Sequence, residues 1–160
     1  MWIKISIALQ SLELFEDGLP EPIKTYSIST ALKGVGQQEG SGQTPLGRHE
    51  IAQCIGGECP LNAVFVGREW TNEIYTPELA EKHPERDWIL SRILRLRGLE
   101  AGFNQGGDVD SYARYIYIHG TPDTEPMGIA KSHGCIRMRN LDVMELFEWV
   151  DLGTRVEIVA

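Results

Sequence analysis

The chain is poor in cysteine, in basic residues and in long apolar runs. Three cysteines among 160 residues are too few, and odd in number, for a disulfide scaffold. Lysine and arginine together number 15 against 23 acidic residues, a formal charge of −8. That balance argues against nucleic acid and anionic membrane surfaces as partners, since both favour basic patches. No segment approaches the roughly 18 consecutive apolar residues of a membrane span. Residues 1–9 alternate polar and apolar side chains, as a half-buried strand does. They lack the basic lead, unbroken apolar run and small-residue cleavage site of an export signal. The expectation is a cytoplasmic protein, or a periplasmic one if the natural chain begins upstream of Met1.

At 160 residues, 42% hydrophobic and 24% charged, the chain suits a single domain spanning residues 1–160 with a full core. Residues 12–16 alternate and run into Asp17-Gly18, a hairpin signal, with a second strand over residues 23–30. Residues 34–42 form a glycine-rich loop without the Gly-Lys-Ser/Thr of a phosphate loop or the dinucleotide pattern. Strands are expected at 48–52, 114–118 and 154–159, and residues 89–96 read as strand or helix. Thr76-Pro77-Glu78 opens a short helix with a cap residue, a proline and an acid, and Asn140 is placed to cap a helix over 141–150. The polar stretch 98–110 is long enough to cover a cleft. Many short strands and one good helix predict a predominantly β fold.

The chemistry concentrates in His119-Gly120-Thr121 and in the run from Ser132 to Met138, which contains His133, Gly134, Cys135 and Arg137. A thiolate attacks acyl carbons well. A nearby imidazole can take the thiol proton, and backbone N–H groups can hold charge on the attacked carbonyl. Glycine lets the backbone approach the reacting centre closely. These residues spell a cysteine acyl-transfer site.

The same residues resemble the YkuD-type L,D-transpeptidase catalytic domain. That family carries an upstream His-Gly, a gap of about a dozen residues, then Ser/Thr-His-Gly-Cys, an apolar residue and Arg or Asn. His119-Gly120 and Ser132 through Arg137 match it, and Thr44-Pro45-Leu46-Gly47 looks like the family's Thr-Pro-x-Gly turn. Residues 54–99 match nothing identifiable. The resemblance implies a mostly β (α+β) sandwich or open barrel with a small helical part. It implies Cys135 as nucleophile and His119 as general base, oriented by the carbonyl of Gly120 or Thr121. His133 then supports catalysis or merely stabilises the loop. Gly134 and the N–H of Cys135 are oxyanion candidates. If imidazolium or loop N–H groups stabilise the thiolate, the thiol pKa falls below its free value.

Arg137 either binds a substrate carboxylate or braces the loop. Ser132 is grouped with the substrate-binding residues but is expected to bond within the loop. Tyr117 lines the cleft or packs in the core. His49 and His83 read as surface residues.

The implied partners are peptidoglycan stem peptides or muropeptides, with no nucleic acid, membrane, cofactor or metal. Hydrolysis of the L,D-bond with release of D-alanine, an L,D-carboxypeptidase reaction, is favoured because the cytoplasm offers no wall to cross-link. L,D-transpeptidation is the alternative. A zinc-stabilised binding module using Cys54, Cys59, Cys135, His119 and His133 is a remote one; otherwise Cys54 and Cys59 pair with each other or, as favoured, fill space. An inactive wall-binding domain is the last.

Overall fold

A computed structural model describes residues Met1–Ala160. Ten strands and two helices follow in chain order: β1 (Trp2–Ser6), β2 (Ser11–Phe15), β3 (Lys24–Ser29), β4 (Gly47–Ile55), β5 (Ala63–Val66), β6 (Glu69–Ile74), α1 (Pro77–Lys82), β7 (Ile89–Gly98), β8 (Tyr117–Thr121), β9 (Ile136–Arg139), α2 (Asn140–Trp149) and β10 (Arg155–Val159). The neighbours run β4-β10-β1-β2-β3-β9-β8-β7, and β7 pairs back to β4. Eight strands thus close on themselves, where the sequence allowed an open barrel. The β5–β6 hairpin attaches to the first residues of β7 through Val64–Leu90 and Phe65–Ile89 and stands outside the closed sheet.

Alternation decides which side chains enter the barrel. Ile3 and Ile5 of β1, Leu12 and Leu14 of β2, Ile118 of β8, and Ile136 and Met138 of β9 are fully buried in one core. Helix α2 adds Val143, Leu146 and Val150 to it. The intervening residues face outward. On β8 and β9 they are Tyr117 and His119, and Arg137 beside Cys135. A second, smaller cluster lies outside the barrel wall. There Ala63 and Phe65 of the hairpin pack on Ile93 and Tyr117, with Cys59 and Cys135 against them. The segment 54–99, unidentified in the sequence, therefore supplies a roof over this outer face.

Several boundaries differ from expectation for local reasons. The first strand stops at Ser6 because Gln10, at φ +48°, turns the chain back; β1 and β2 are a hairpin of their own. The strand expected over 114–118 begins only at Tyr117. Tyr115 is left-handed at φ +56°, and its N–H closes a turn on Tyr112. His119 consequently sits mid-strand rather than at a strand end. Thr76 caps α1 by accepting the Leu79 N–H at 3.1 Å. Asn140 does not cap α2: its side chain turns inward.

Candidate active site

Two parallel strands assemble the site. In the β8–β9 ladder Ile118 pairs with Ile136 and His119 with Arg137, so Tyr117 stands beside Cys135 and His119 beside Arg137 on one outer face. Cys135, His119, Tyr117, Arg137 and His133 line a single cleft of about 320 Å³ beneath the hairpin, closed by Phe65, Arg68, Asp87 and Tyr115. A second cleft of about 400 Å³, lined by Glu39, Gly40, Gly42 and Arg114, also reaches Cys135.

The Cys135 loop is held by buried polar contacts. The Ser132 hydroxyl donates to the Cys135 carbonyl at 2.6 Å and accepts the Gly134 N–H at 3.2 Å. Thr44, from the Thr-Pro-Leu-Gly turn, donates to the Gly134 carbonyl at 2.9 Å and accepts the Ala31 N–H. Gly134 has φ +135°, a conformation that favours glycine. The Ser132 hydroxyl bonds within the loop, as expected, and this argues against its grouping with the substrate-binding residues. The Gly134 N–H is engaged by Ser132, which argues against it as an oxyanion donor, whereas the Cys135 N–H makes no hydrogen bond within the chain.

His119 is 1% exposed, and its Nδ1 lies 2.6 Å from the Gly120 carbonyl. A carbonyl only accepts, so Nδ1 carries the hydrogen and Nε2 keeps a lone pair. Burial lowers the His119 pKa, which keeps the ring neutral. Gly120 is required here. A Cβ at this position would collide with the Asn140 side chain and the Leu90 carbonyl. A bulge in β7 accommodates the crossing: Leu90 pairs with Gly120 and Ile93 with His119, and between them Ser91 adopts φ +70°. Ser91 donates to Asn140 Oδ1 at 2.8 Å, while Asn140 Nδ2 donates to the Thr121 carbonyl at 2.8 Å.

The Cys135 sulfur donates to the Tyr115 carbonyl at 3.3 Å and accepts the Tyr117 N–H at 3.4 Å. It makes no hydrogen bond to His119. Burial pushes the thiol pKa up to about 11, opposed by the Tyr117 N–H and by Arg137 and Arg114. The thiol therefore rests protonated, against the expectation of a depressed pKa.

Of the two roles open to Arg137, the structural one is observed. It is 8% exposed and held by Asp87 at 3.0 Å and Glu125 at 3.8 Å. His133 is exposed, with Nδ1 3.6 Å from Asp87. Tyr117 fills both of its roles, packing in the outer cluster and lining the cleft. His49, read as a surface residue, is fully buried between the Gly47 carbonyl and the Ser111 hydroxyl. His83 is half-buried. The 98–110 stretch does not cover the cleft; it braces the 34–42 loop, where the Glu39 N–H donates to the Asp108 carbonyl at 2.7 Å. No three His, Cys, Asp or Glu side chains gather as a metal site, so the zinc module lacks its ligand set.

Asp87, Arg68, Asn140 and Arg114 escaped the sequence reading. Arg114 binds the carbonyls of Gly36, Gln37 and Gln43 and so fixes the glycine-rich loop that borders the second cleft. Only Asn140, first placed at a helix cap, carried a signal, and it pointed to a different role.

Known proteins resemble this chain in sequence and in fold. YbiS of Escherichia coli strain K12 is 48% identical over 52 residues, covering 30% of this chain and 17% of its own length. The YkuD protein of Bacillus licheniformis is 45% identical over 60 residues, 34% of this chain and 36% of that protein. The chain thus aligns with only a minor part of either relative. A solved L,D-transpeptidase from Mycobacterium smegmatis superposes with a TM-score of 0.58 over 99% of this chain and 58% of the other, at 18% identity, which shows a common fold. The sequence profile of the YkuD family, the L,D-transpeptidase catalytic domain, matches residues 1–158, and a match of that extent, on a barrel of the same fold, means that the chain belongs to this family.

Proposed function

We propose that this domain is a cysteine acyl-enzyme that opens the L,D-peptide bond of a peptidoglycan tetrapeptide stem. The observation that carries the reading is the meeting of Cys135 and His119 in one cleft, with the His119 tautomer set by the Gly120 carbonyl so that Nε2 can accept a proton. Thiol and imidazole both start neutral. The sulfur leaves the Tyr115 carbonyl and attacks the scissile carbonyl carbon while its proton passes to His119 Nε2. The Cys135 N–H stabilises the oxyanion, assisted by the nearby positive charge of Arg137 and Arg114. On collapse the C–N bond breaks, the imidazolium returns the proton to the leaving D-alanine amine, and a thioester remains.

Water resolves the thioester in the favoured reading. A C–O bond forms, the C–S bond breaks, and His119 carries the proton back to sulfur. This is L,D-carboxypeptidase chemistry on soluble muropeptides, in keeping with the proposed cytoplasmic location. A second reading has its own observation: the second cleft of about 400 Å³ at Cys135, lined by Glu39 and Arg114, offers room for an amine from another stem. Transfer to that amine makes a cross-link. Mass spectrometry of a tetrapeptide muropeptide incubated with the protein, with and without an amine acceptor, tests both. Tripeptide and free D-alanine support hydrolysis, a dimer supports transfer, and unchanged tetrapeptide refutes the acyl-enzyme.

A further inference from the structure

We infer that Arg68, at the tip of the β5–β6 hairpin, is the cation that binds a substrate carboxylate over the Cys135 cleft. The inference rests on the acyl-enzyme reading of that cleft and adds a positioning group from the roof. Two arginines line the cleft, Arg68 and Arg137. Arg137 is nearly buried and already bound by Asp87 at 3.0 Å and Glu125 at 3.8 Å. Two acids occupy its fork, so it is not free to form a further bidentate pair with a substrate carboxylate. Arg68 has no carboxylate partner within the chain. Its one hydrogen bond goes from Nη1 to the Tyr117 hydroxyl at 3.1 Å, and its guanidinium stacks 4.9 Å from the Tyr115 ring centroid. Most of its five N–H donors stay available.

Those two tyrosines also touch the nucleophile. The Tyr115 carbonyl accepts from the Cys135 sulfur, and the Tyr117 N–H donates to it. Arg68 is therefore one residue removed from the reacting atom, on the roof side, with a planar fork suited to a carboxylate. The backbone gives a second, independent indication. Val66 pairs with Glu69 around a two-residue turn in which both Gly67, at φ +57°, and Arg68, at φ +66°, are left-handed. Such turns favour Gly, Asn or Asp at these positions. An arginine there is sterically disfavoured, and the side chain it presents to the cleft supplies a reason for its presence.

A tetrapeptide stem carries two carboxylates near the scissile bond, one at the C-terminus of the leaving D-alanine and one on the side chain of diaminopimelate. The test distinguishes them. Binding of the tetrapeptide to the Cys135→Ala protein is measured by calorimetry with Arg68, Arg68→Lys and Arg68→Gln. Three peptides are used: free, amidated at the D-alanine terminus, and amidated at the diaminopimelate side chain. With Arg68 present, one of the two amides weakens binding by roughly 10- to 100-fold, as the loss of a charge-assisted pair does. Arg68→Gln weakens the free peptide by the same factor and is indifferent to that amide, and Arg68→Lys recovers part of the loss. Turnover of the native protein is assayed in parallel. Arg68→Gln weakening free and amidated peptides alike would assign Arg68 a structural role in holding the hairpin and overturn the inference. So would unchanged affinity, or no binding of any peptide. Carboxylate coupling without turnover removes the acyl-enzyme and leaves Arg68 standing; turnover without coupling does the reverse.

Discussion

Asp87, just ahead of β7, grips Arg137 of β9 at 3.0 Å, and its other oxygen lies 3.6 Å from His133 Nδ1. The arginine is nearly buried and the acid half-exposed, so a partly solvated carboxylate offsets a cleft-lining cation. Asp87 raises the Cys135 thiol pKa, whereas Arg137 lowers it. Asp87→Asn leaves Arg137 with only the longer Glu125 contact. The thiol then becomes more acidic, and iodoacetamide alkylation of Cys135 at pH 8 should speed up several-fold. Stability should fall by about 1 kcal/mol, modest because the acid is solvated. An unchanged or slower alkylation rate would show that Arg137 does not act on the sulfur.

Cys135 should be the only cysteine that turnover requires. Cys135→Ala is expected to abolish tripeptide formation while keeping the native near-UV spectrum, since the sulfur is half-buried at a cleft wall rather than inside the barrel core. Cys54→Ala and Cys59→Ala should retain turnover. A carbapenem, whose strained lactam is an acyl donor, should add its mass to Cys135. Peptide mapping that finds the adduct on Cys54 or Cys59 refutes the assignment.

The resting thiol is neutral, and this has a kinetic signature. Burial places its pKa near 11, so alkylation of the free protein should still be accelerating at pH 9 and should show no plateau near neutrality. A plateau near pH 7 would reveal a pre-formed thiolate–imidazolium pair instead. His119→Ala should slow acylation by roughly 10²- to 10⁴-fold, the usual reach of general acid–base catalysis. His133→Ala should do less, because His133 is exposed and contacts Asp87 rather than the sulfur.

The mostly β fold was legible from alternation: Ile3 and Ile5 or Leu12 and Leu14 declare one buried face. The motif made Cys135 and His119 candidates because its two short blocks, His119-Gly120 and Ser132 to Arg137, lie within nineteen positions. Closure of the barrel was not legible, since the β4–β7 pairing joins residues 38 to 49 positions apart with no local marker. Nor was the fate of Arg137. Its partner Asp87 lies 50 residues upstream, in a stretch whose hairpin and short helix leave a weak pattern. The bulge at Ser91 is a register event that no periodicity reports. Asn140 misled because a capping residue and a buried polar hub share one chemistry.

That hub should be expensive to remove. Asn140 is 1% exposed and joins α2, β7 and β8 through Ser91, Thr121 and, at 3.3 Å, Asp123. Asn140→Ala leaves the Ser91 hydroxyl and the Thr121 carbonyl short of partners in a dry site. A loss of about 2–4 kcal/mol is expected from the urea midpoint. Activity should fall in conditions where the variant remains folded, because the Thr121 carbonyl lies two residues beyond His119. A neutral Asn140→Ala would mean that water replaces the side chain.

His49 should make the fold acid-sensitive. The ring is fully buried, with Nδ1 3.0 Å from the Gly47 carbonyl and Nε2 2.8 Å from the Ser111 hydroxyl, and burial lowers its pKa to about 4. In the unfolded chain the same imidazole titrates near 6.5. Below that value the unfolded state binds more protons than the folded one. His49 therefore contributes its full stability above pH 6.5 and loses it as the pH falls toward 4. The total at stake is about 3 kcal/mol, of which about 2 kcal/mol is gone by pH 5. His119, lowered in the same direction, adds to the effect. Urea unfolding of the native chain at pH 7.5 and pH 5 should show this loss, and His49→Gln should show a smaller difference between the two pH values. Equal pH dependence in both proteins would mean that the His49 ring is protonated as readily when folded as when unfolded.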